Sequence, residues 1–396
     1  MSNVTASLVV DLGNSQTRVI TQIAKNGEID NRFSVLPNRY AFVENDYEIP
    51  EQYLVDEDNP TYVFHQKDFV HVAGLYSDVE MSGSQMRPTS EEKKYNSSTT
   101  DQSLNMAFYA AYQDLSILLG ERVEDLDVTW KVTLLNPPAD VDYGKELIAE
   151  KVRSIKEIIF DHPTNLRKKI VIEDVTVLPE GFCAFMGTVF TRKGVLRREF
   201  APLVKESCMI IDVGAGTTDY ALIKNGQLVD SMKDSISIGG NHVIRGFSKE
   251  LRQQGYSVSY SQEEEANATG KIQDGHSEKD ISDSIIRSRE NIARKLVRSL
   301  QDYLELSDYP PRSIQNLLVV GGGTLNTIEN AEPLAEMIVR YFKELSPNVR
   351  LVELPLHKVF VEDEYGDFHA QMVPVSPRHL NIIGAAVLAA KKILSA

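Results

Sequence analysis

The chain has 396 residues, of which 42% are apolar and 25% charged, and its net charge at neutral pH is −15. This length predicts two or three domains with ordinary cores, and the composition excludes collagen-like and wholly disordered classes. The strong negative charge argues against direct binding of DNA, RNA or anionic membranes.

The sequence gives no sign of export, of a membrane span or of a disulfide framework. The first residues lack the basic and apolar stretches of a signal peptide, and no apolar run nears the ~18 residues of a membrane helix. Cys183 and Cys208 are too few for a disulfide framework or a four-ligand zinc site, so we expect reduced, buried thiols. We therefore expect a cytoplasmic protein without membrane contact.

The first half of the chain begins with an apolar strand that ends in Asp11-Leu12-Gly13. A second apolar stretch, 18–24, leads to Asn26-Gly27, and Asn-Gly between apolar runs is a strong signal for a hairpin turn. Apolar spacing then predicts two helices and two strands: 104–115 and 147–159 for the helices, 128–135 and 170–178 for the strands. The polar stretch 81–101 is expected to be an exposed loop or a small insertion.

The same order recurs half a chain later, which indicates an internal duplication. An apolar strand that contains Asp212 runs into Gly214-Ala215-Gly216, and a second apolar stretch leads to Asn225-Gly226. Apolar spacing predicts a long amphipathic helix, a strand and a closing helix: 281–304, 317–320 and 381–394. The polar stretch 256–280 is expected to be a second exposed loop or insertion.

Strands that alternate with helices in both halves predict an α/β fold with a largely buried sheet in each half. The simplest interpretation is two related lobes that face each other. We expect one lobe to comprise 1–200 and 376–396, with an insertion at about 30–100, and the other to comprise 201–375.

Glycine-rich turns at strand ends or helix starts indicate a polyphosphate clasped between the lobes. Glycine permits tight turns and lets backbone N–H groups approach phosphate oxygens closely. The hydroxyl groups of Ser15, Thr217 and Thr218 can add donors. Asp11 and Asp212 cannot face phosphates unshielded, so we expect a Mg²⁺ ion that keeps most of its waters.

Three other kinds of site that use similar turns fit these residues less well. The chain has no G-x-x-x-x-G-K-[ST], and Asp219 stands where a dinucleotide fingerprint would need its third glycine. A two-lobed aspartic protease also pairs two Asp-x-Gly turns, but its chemistry favours Ser or Thr at x, where this chain has Leu12 and Val213.

At these residues the sequence resembles the actin-like ATPase superfamily, and within it the ParM-type plasmid-segregation actins. Five stretches are similar to its motifs and come in the family order: first phosphate motif 11–15, first connecting segment 178–181, second phosphate motif 212–219, adenosine motif 319–325 and second connecting segment 381–385. The resemblance implies an α/β actin-like duplicated two-lobe fold, with ribonuclease H-like domains and a nucleotide cleft between the lobes.

The resemblance also implies roles for individual residues. Glu180 would orient or deprotonate the water that attacks the γ-phosphate, Asp212 would hold that water and the Mg²⁺ shell, and Asp11 would be the second metal-side carboxylate. The positions that would bind the nucleotide are Gly13, Asn14, Ser15, Gly214, Ala215, Gly216, Thr217, Thr218, Gly239, Gly240, Glu264, Gly321, Gly322, Gly323 and Thr324. The stretch 263–270, which matches the base-binding helix, has no lysine before Lys271, so both ATP and GTP stay open.

The function that the resemblance implies is a filament-forming ATPase that segregates plasmid DNA as a homopolymer. Because the chain is acidic, we expect a separate DNA-binding adaptor protein and no direct contact with nucleic acid. The alternative is a small-molecule kinase of the same fold, although no further Asp motif clearly supplies its base. A chaperone ATPase or a membrane-tethered division actin is less expected, since we see neither a substrate-binding domain nor an amphipathic anchor.

Overall fold

The computed structural model describes most of the chain. The described residues are 2–13, 16–38, 40–43, 49–50, 52, 61–66, 69–81, 93–97, 99–160, 166–256, 260–274, 277–324, 328, 331–356 and 376–394. Their contacts divide into two compact units. Unit 1 contains Met1–Leu196 and Asn381–Ala396, and unit 2 contains Arg197–Leu356 and Ser376–Leu380.

The first half of the chain supplies ten strands and four helices to the described part of unit 1. In chain order they are β1 Ser2–Leu12, β2 Gln16–Lys25, β3 Glu28–Pro37, β4 Ala41–Val43, β5 Thr61–Gln66, β6 Phe69–Gly74, α1 Leu75–Glu80, α2 Thr100–Leu119, β7 Leu126–Asn136, α3 Val141–Ser154, β8 Glu157–Phe160, β9 Leu166–Lys169, β10 Val171–Pro179 and α4 Glu180–Val189. Five of these strands form the main sheet in the order β10-β7-β1-β2-β3, and another five form a second sheet, β4-β6-β5-β8-β9.

The second half supplies seven more strands and five more helices among the described residues. They are β11 Ser207–Val213, β12 Thr218–Lys224, β13 Gln227–Ile236, α5 Gly240–Gln253, α6 Tyr260–Thr269, β14 Lys271–Asp274, β15 Ser277–Asp280, α7 Ser282–Leu306, β16 Asn316–Val320, α8 Leu334–Phe342, β17 Arg350–Leu351 and α9 Leu380–Leu394. The main sheet of unit 2 has the order β13-β12-β11-β16-β17, and β14 and β15 form a separate two-stranded ribbon.

The two main sheets share one topology, which confirms the predicted α/β fold with two related lobes. In each, the first strand pairs antiparallel with the second and parallel with a later strand on its other side. Both predicted Asn-Gly hairpins are present: φ is +54° and +81° at Asn26 and Gly27, and +52° and +72° at Asn225 and Gly226. Positive φ at both central residues is the geometry that a two-residue hairpin turn requires.

Each unit buries its own apolar core. In unit 1, Trp130 on β7 is fully buried and meets the rings of Phe108 and Tyr112 from α2 edge-on, with centroid distances of 5.7 and 5.4 Å. In unit 2, α5, α7 and α8 supply buried apolar side chains to one cluster with β11, β12 and β16. Cys183 and Cys208 are free, buried thiols, as the sequence predicts. None of the helices in the described ranges is long and apolar enough to cross a membrane.

One sequence-based expectation is wrong in detail. The helix expected over 147–159 ends at Ser154, because Ile159 belongs to β8, a β-branched and aromatic stretch that pairs with β9. Of the two alternatives expected for the polar stretch 256–280, a loop or a small insertion, the structure agrees with the insertion: the stretch contains α6 and the β14–β15 ribbon, which bury Ala266 and Ile272 in the unit 2 core. The terminal residue of the 319–325 motif and all of 357–375 lie outside the described residues.

Candidate functional site

The first strand of each main sheet ends in a loop of the same design. In unit 1 the Gly13 N–H donates to the Gln16 carbonyl at 3.1 Å, and in unit 2 the Gly214 N–H donates to the Thr217 carbonyl at 2.9 Å. A side chain at Gly13 would place its Cβ 2.7 Å from the Gln16 oxygen, so the turn requires glycine there. Asn14 and Ser15, predicted to bind phosphate, lie outside the described residues.

Unit 1 brings the two predicted carboxylates Asp11 and Glu180 together with two cations that sequence reasoning missed. Arg18 Nη1 donates to Asp11 Oδ2 at 2.8 Å, and Lys94 Nζ lies 3.5 Å from Asp11 Oδ1. The same ammonium forms an ion pair with Glu180 Oε1. Side-chain exposure is 6% for Asp11, 12% for Glu180 and 15% for Lys94, so these charged groups have lost most of their contact with water. The ion pairs between ammonium and carboxylates offset part of that cost of desolvation.

Strand register and a helix start explain how these groups meet. Arg18 lies directly opposite Asp11 in the β1–β2 ladder, and Glu180 is the first residue of α4, just after β10 ends at Pro179. Burial raises the pKa of the Cys183 thiol, and the nearby charges of Glu180 and Asp11 raise it further. Cys183 is therefore a protonated thiol beside the two carboxylates and no nucleophile.

Unit 2 packs three of the predicted glycine turns against one another. A Cβ on Gly239 would lie 2.7 Å from the Gly214 oxygen and 2.8 Å from the Ala215 oxygen. A Cβ on Gly323 would lie 2.9 Å from the Val213 oxygen. Loops 214–216, 239–240 and 321–323 therefore form one layer of bare backbone at the ends of β11 and β16, which we call the glycine layer.

The backbone N–H groups at the start of α5 already have partners in this structure. Gly240 and Asn241 donate to the carbonyls of Gly214 and Ala215 at 2.9 and 2.7 Å, and the Gly239 N–H donates to His242 Nδ1 at 3.1 Å. Burial and the charge of Arg245 lower the pKa of His242, which keeps Nδ1 available as an acceptor. In this structure Gly239 and Gly240 support the second loop.

The predicted hydroxyl groups of unit 2 differ in what they do. Thr218 is fully buried and donates to the Ile238 carbonyl at 2.6 Å, so its hydroxyl fixes the start of α5 to β12. Thr324 donates to the Gly321 carbonyl at 2.7 Å and closes the adenosine-motif turn. Thr217 is half-buried. Glu264 lies on α6.

The carboxylate of Asp212 has a different neighbour from that of Asp11. Asp212 faces Asp219 across the β11–β12 ladder, where unit 1 has the Asp11–Arg18 pair. Residues directly opposite in an antiparallel pair share a face, and like charges there repel. Asp212 and Asp219 are each 5% exposed, so two buried carboxyl groups lie opposite each other where unit 1 has a carboxylate and a guanidinium.

These residues fit a magnesium ion held through water better than one held directly. Among the described residues no group of three or more His, Cys, Asp or Glu side chains could hold a metal ion. Both oxygens of Asp11 face cations, but a carboxylate has about four lone-pair sites, so each oxygen can still accept a hydrogen bond from a metal-bound water. Mg²⁺ commonly keeps several of its waters in this way.

The architecture is shared with solved actin homologues. A crystal structure of the archaeal actin homologue Ta0583 in complex with ADP matches with a TM-score of 0.62 at 15% identity, over 98% of this chain and 99% of that one. Bacillus thuringiensis ParM with ATP matches with a TM-score of 0.60 at 15% identity, over 98% and 99% of the two chains. A non-polymerisable quadruple mutant of pCBH ParM matches with a TM-score of 0.62 at 16% identity, over 97% and 98%.

The chain has the actin-like fold. Residues 210–331 also match the family model of the C-terminal part of archaeal MreB-like actin homologues, which covers the glycine layer. The resemblance to the actin-like superfamily and to its ParM-type members, predicted from five short motifs, is thus confirmed at the level of the fold. No curated protein sequence matches this actin-like chain.

Proposed function

We propose that this actin-like protein is a filament-forming ATPase that binds a nucleoside triphosphate through its two Asp-x-Gly loops. The glycine layer of unit 2 carries the proposal. Bare backbone lets the oxygens of a phosphate and the face of a nucleoside approach closely, which a layer of side chains would prevent. Structures of the fold relatives Ta0583 and Bacillus thuringiensis ParM, with ADP and with ATP, support nucleotide binding here.

Glu180 is the proposed base for hydrolysis. It is buried at the start of α4 beside Asp11, where Lys94 holds its Oε1, and a carboxylate fixed at such a place can orient a water or accept a proton from it. Phosphoryl transfer to water needs chiefly positioning and charge neutralisation, and a small set of fixed charges supplies both. ATP is the proposed nucleotide, with GTP as the competitor to be measured.

Asp11 and Asp212 are the residues proposed to hold Mg²⁺ through water. The ion would neutralise part of the triphosphate charge. Asp212 and Asp219 lie opposite each other on β11 and β12, and a cation beside Asp212 would reduce the repulsion between two such carboxylates. In unit 1, the ion pair with Arg18 offsets the charge of Asp11. We expect Asp11→Asn, which keeps the shape and loses the charge, to weaken binding of Mg²⁺–ATP. Asp230→Ala, which removes a side chain 88% exposed on β13, is the control.

The proposed function also includes self-association of the protein and transport of plasmid DNA. The pCBH ParM mutant is described as non-polymerisable, so polymerisation is a property of that relative that mutation removes. We propose the same behaviour for this chain, with plasmid DNA attached through a separate adaptor. The net charge of −15 supports an adaptor, because the chain itself would repel DNA.

Ultracentrifugation of the purified protein with Mg²⁺ and ATP, GTP, ADP or no nucleotide tests the proposal. We expect the protein to enter the pellet with a triphosphate and to stay in the supernatant without nucleotide. A protein that consumes ATP but stays in the supernatant, and transfers phosphate to an added sugar or other small molecule, would instead be a kinase.

A further inference from the structure

The polar segment 93–97 of unit 1 is tied to its surroundings at both ends. Lys93 forms an ion pair with Asp140, with 3.0 Å between Nζ and Oδ2, just before α3. The Tyr95 ring lies against Gly144 of α3, so closely that any side chain at Gly144 would overlap it. The Ser97 N–H donates to the Lys93 carbonyl at 2.9 Å.

The start of α2 completes this anchoring. The Thr100 hydroxyl donates to the Lys94 carbonyl at 2.6 Å, which fixes the backbone of the residue between the two ties. Lys94 thus has a defined backbone position, and only its side chain enters the cluster of Asp11 and Glu180. A lysine on an exposed loop would not be held in this way.

The charges in this cluster alternate. Arg18 contacts one oxygen of Asp11, and Lys94 contacts both the other oxygen of Asp11 and Glu180. The order is therefore cation, anion, cation, anion. Removing Lys94 would take from both largely buried carboxylates the cation that they share. Buried charges that lose a partner are displaced or change their protonation.

We propose that Lys94 is a positioning residue for hydrolysis: its ion pair with Glu180 holds that carboxylate in the orientation from which it acts on the attacking water. The inference rests on the proposed ATPase function. The ammonium contacts the carboxylates in this structure, and no step of nucleotide binding is assigned to it. Its loss should therefore slow the chemical step and leave the affinity for nucleotide nearly unchanged.

The test compares Lys94→Met with Lys193→Met, which removes an exposed lysine of unit 1 whose ion pair is with Glu28. Phosphate release per pelleted subunit is measured at a series of ATP concentrations, which separates kcat from KM. We expect Lys94→Met to lower kcat by about 10- to 100-fold, since a shift of about 1 Å in a reacting group has effects of this size. We expect its KM to change less than about threefold, and Lys193→Met to match the wild type.

The double variant Lys94→Met/Glu180→Gln decides whether Lys94 acts through Glu180. It removes both charges of the pair and so avoids an unpaired carboxylate if Lys94→Met alone is unstable. We expect it to hydrolyse ATP no more slowly than Glu180→Gln, because a positioning residue has nothing left to position. We expect Lys94→Arg, which keeps the charge, to recover part of the rate.

Several results would overturn the inference. Wild-type kcat in Lys94→Met, a raised KM with unchanged kcat, or losses that multiply in the double variant would each give Lys94 another role. A wild-type protein that hydrolyses no nucleoside triphosphate would instead overturn the proposed function itself. The wild-type measurement therefore separates the two failures.

Discussion

Replacing Gly321 with alanine tests whether the glycine layer needs its close backbone contacts. Gly321 has a φ of +95°, and a Cβ there would overlap Asp212 Oδ1 and the Val213 carbonyl and lie 2.7 Å from the Val213 carbonyl carbon. Gly255, also in unit 2, is a matched control: its φ is +90°, but nothing lies within 4 Å of the point that its Cβ would occupy. Both substitutions strain the backbone, and only one creates a clash.

The expected losses of stability follow from these two differences. A left-handed backbone costs a residue with a Cβ about 1–2 kcal/mol, and both alanine variants incur that loss. Overlap with fixed atoms adds about 1–3 kcal/mol in a packed region. We therefore expect Gly321→Ala to lower the free energy of unfolding by about 2–5 kcal/mol and Gly255→Ala by about 1–2 kcal/mol.

Urea unfolding followed by circular dichroism measures this difference, and calorimetric titration with Mg²⁺–ATP measures its effect on the site. Because the new methyl group would displace the Asp212 carboxylate, nucleotide binding should weaken in Gly321→Ala and not in Gly255→Ala. Equal losses of stability and equal affinities in the two variants would refute the close packing on which the proposed site depends.

Three further predictions concern unit 1. Glu180→Gln should still assemble with ATP but release phosphate about 10²–10⁴-fold more slowly, which is the usual effect of losing a general base. Its polymer should therefore persist longer than that of the wild type in light scattering. Hydrolysis at the wild-type rate would show that another residue is the base. Burial raises the pKa of Asp114 to about 6, so its contribution to stability is largest below pH 4 and is lost as the pH rises through 6. As the pH rises from 4 to above 6, the free energy of unfolding of Asp114→Asn should therefore increase by up to about 3 kcal/mol relative to that of the wild type. Unfolding at several pH values measures this change. A difference between the two proteins that does not vary with pH would contradict the buried charge. Gly384→Ala places a methyl group against the Cys183 carbonyl and 2.6 Å from the Gly187 nitrogen, so it should force α9 away from α4. We expect the free energy of unfolding to fall by about 1–3 kcal/mol or more. A gain in thermal stability, as expected for alanine in an open helix, would show that the two helices are not in contact.

Local chemistry made much of the fold predictable. Asn26-Gly27 and Asn225-Gly226 allow few conformations other than tight hairpin turns, and the apolar strands before them left one arrangement for the first three strands of each lobe. The prediction that the helix reaches Ile159 was wrong because Ile155 and Ile159 continue the helical spacing by chance. Pairing with β9 decides the conformation of Ile159.

The site divides in the same way. The Asp-x-Gly loops follow from short motifs, and Arg18 could have been found, since a four-residue connection from Gly13 to Gln16 sets it opposite Asp11. Lys94 could not, because its partner Glu180 is 86 residues away and the segment around it is polar and without a motif. The packing of Tyr95 against α3, the Lys93–Asp140 ion pair and the hydrogen bond from Thr100 together bring it to the carboxylates.

Light scattering and phosphate release, followed together in one sample after addition of Mg²⁺–ATP, test the central claim most directly. We predict that scattering rises first, phosphate follows, and scattering falls again when ATP is consumed. With AMPPNP, which resists hydrolysis, scattering should rise and persist. Phosphate release without any rise in scattering, at every protein concentration tried, would contradict a filament-forming ATPase.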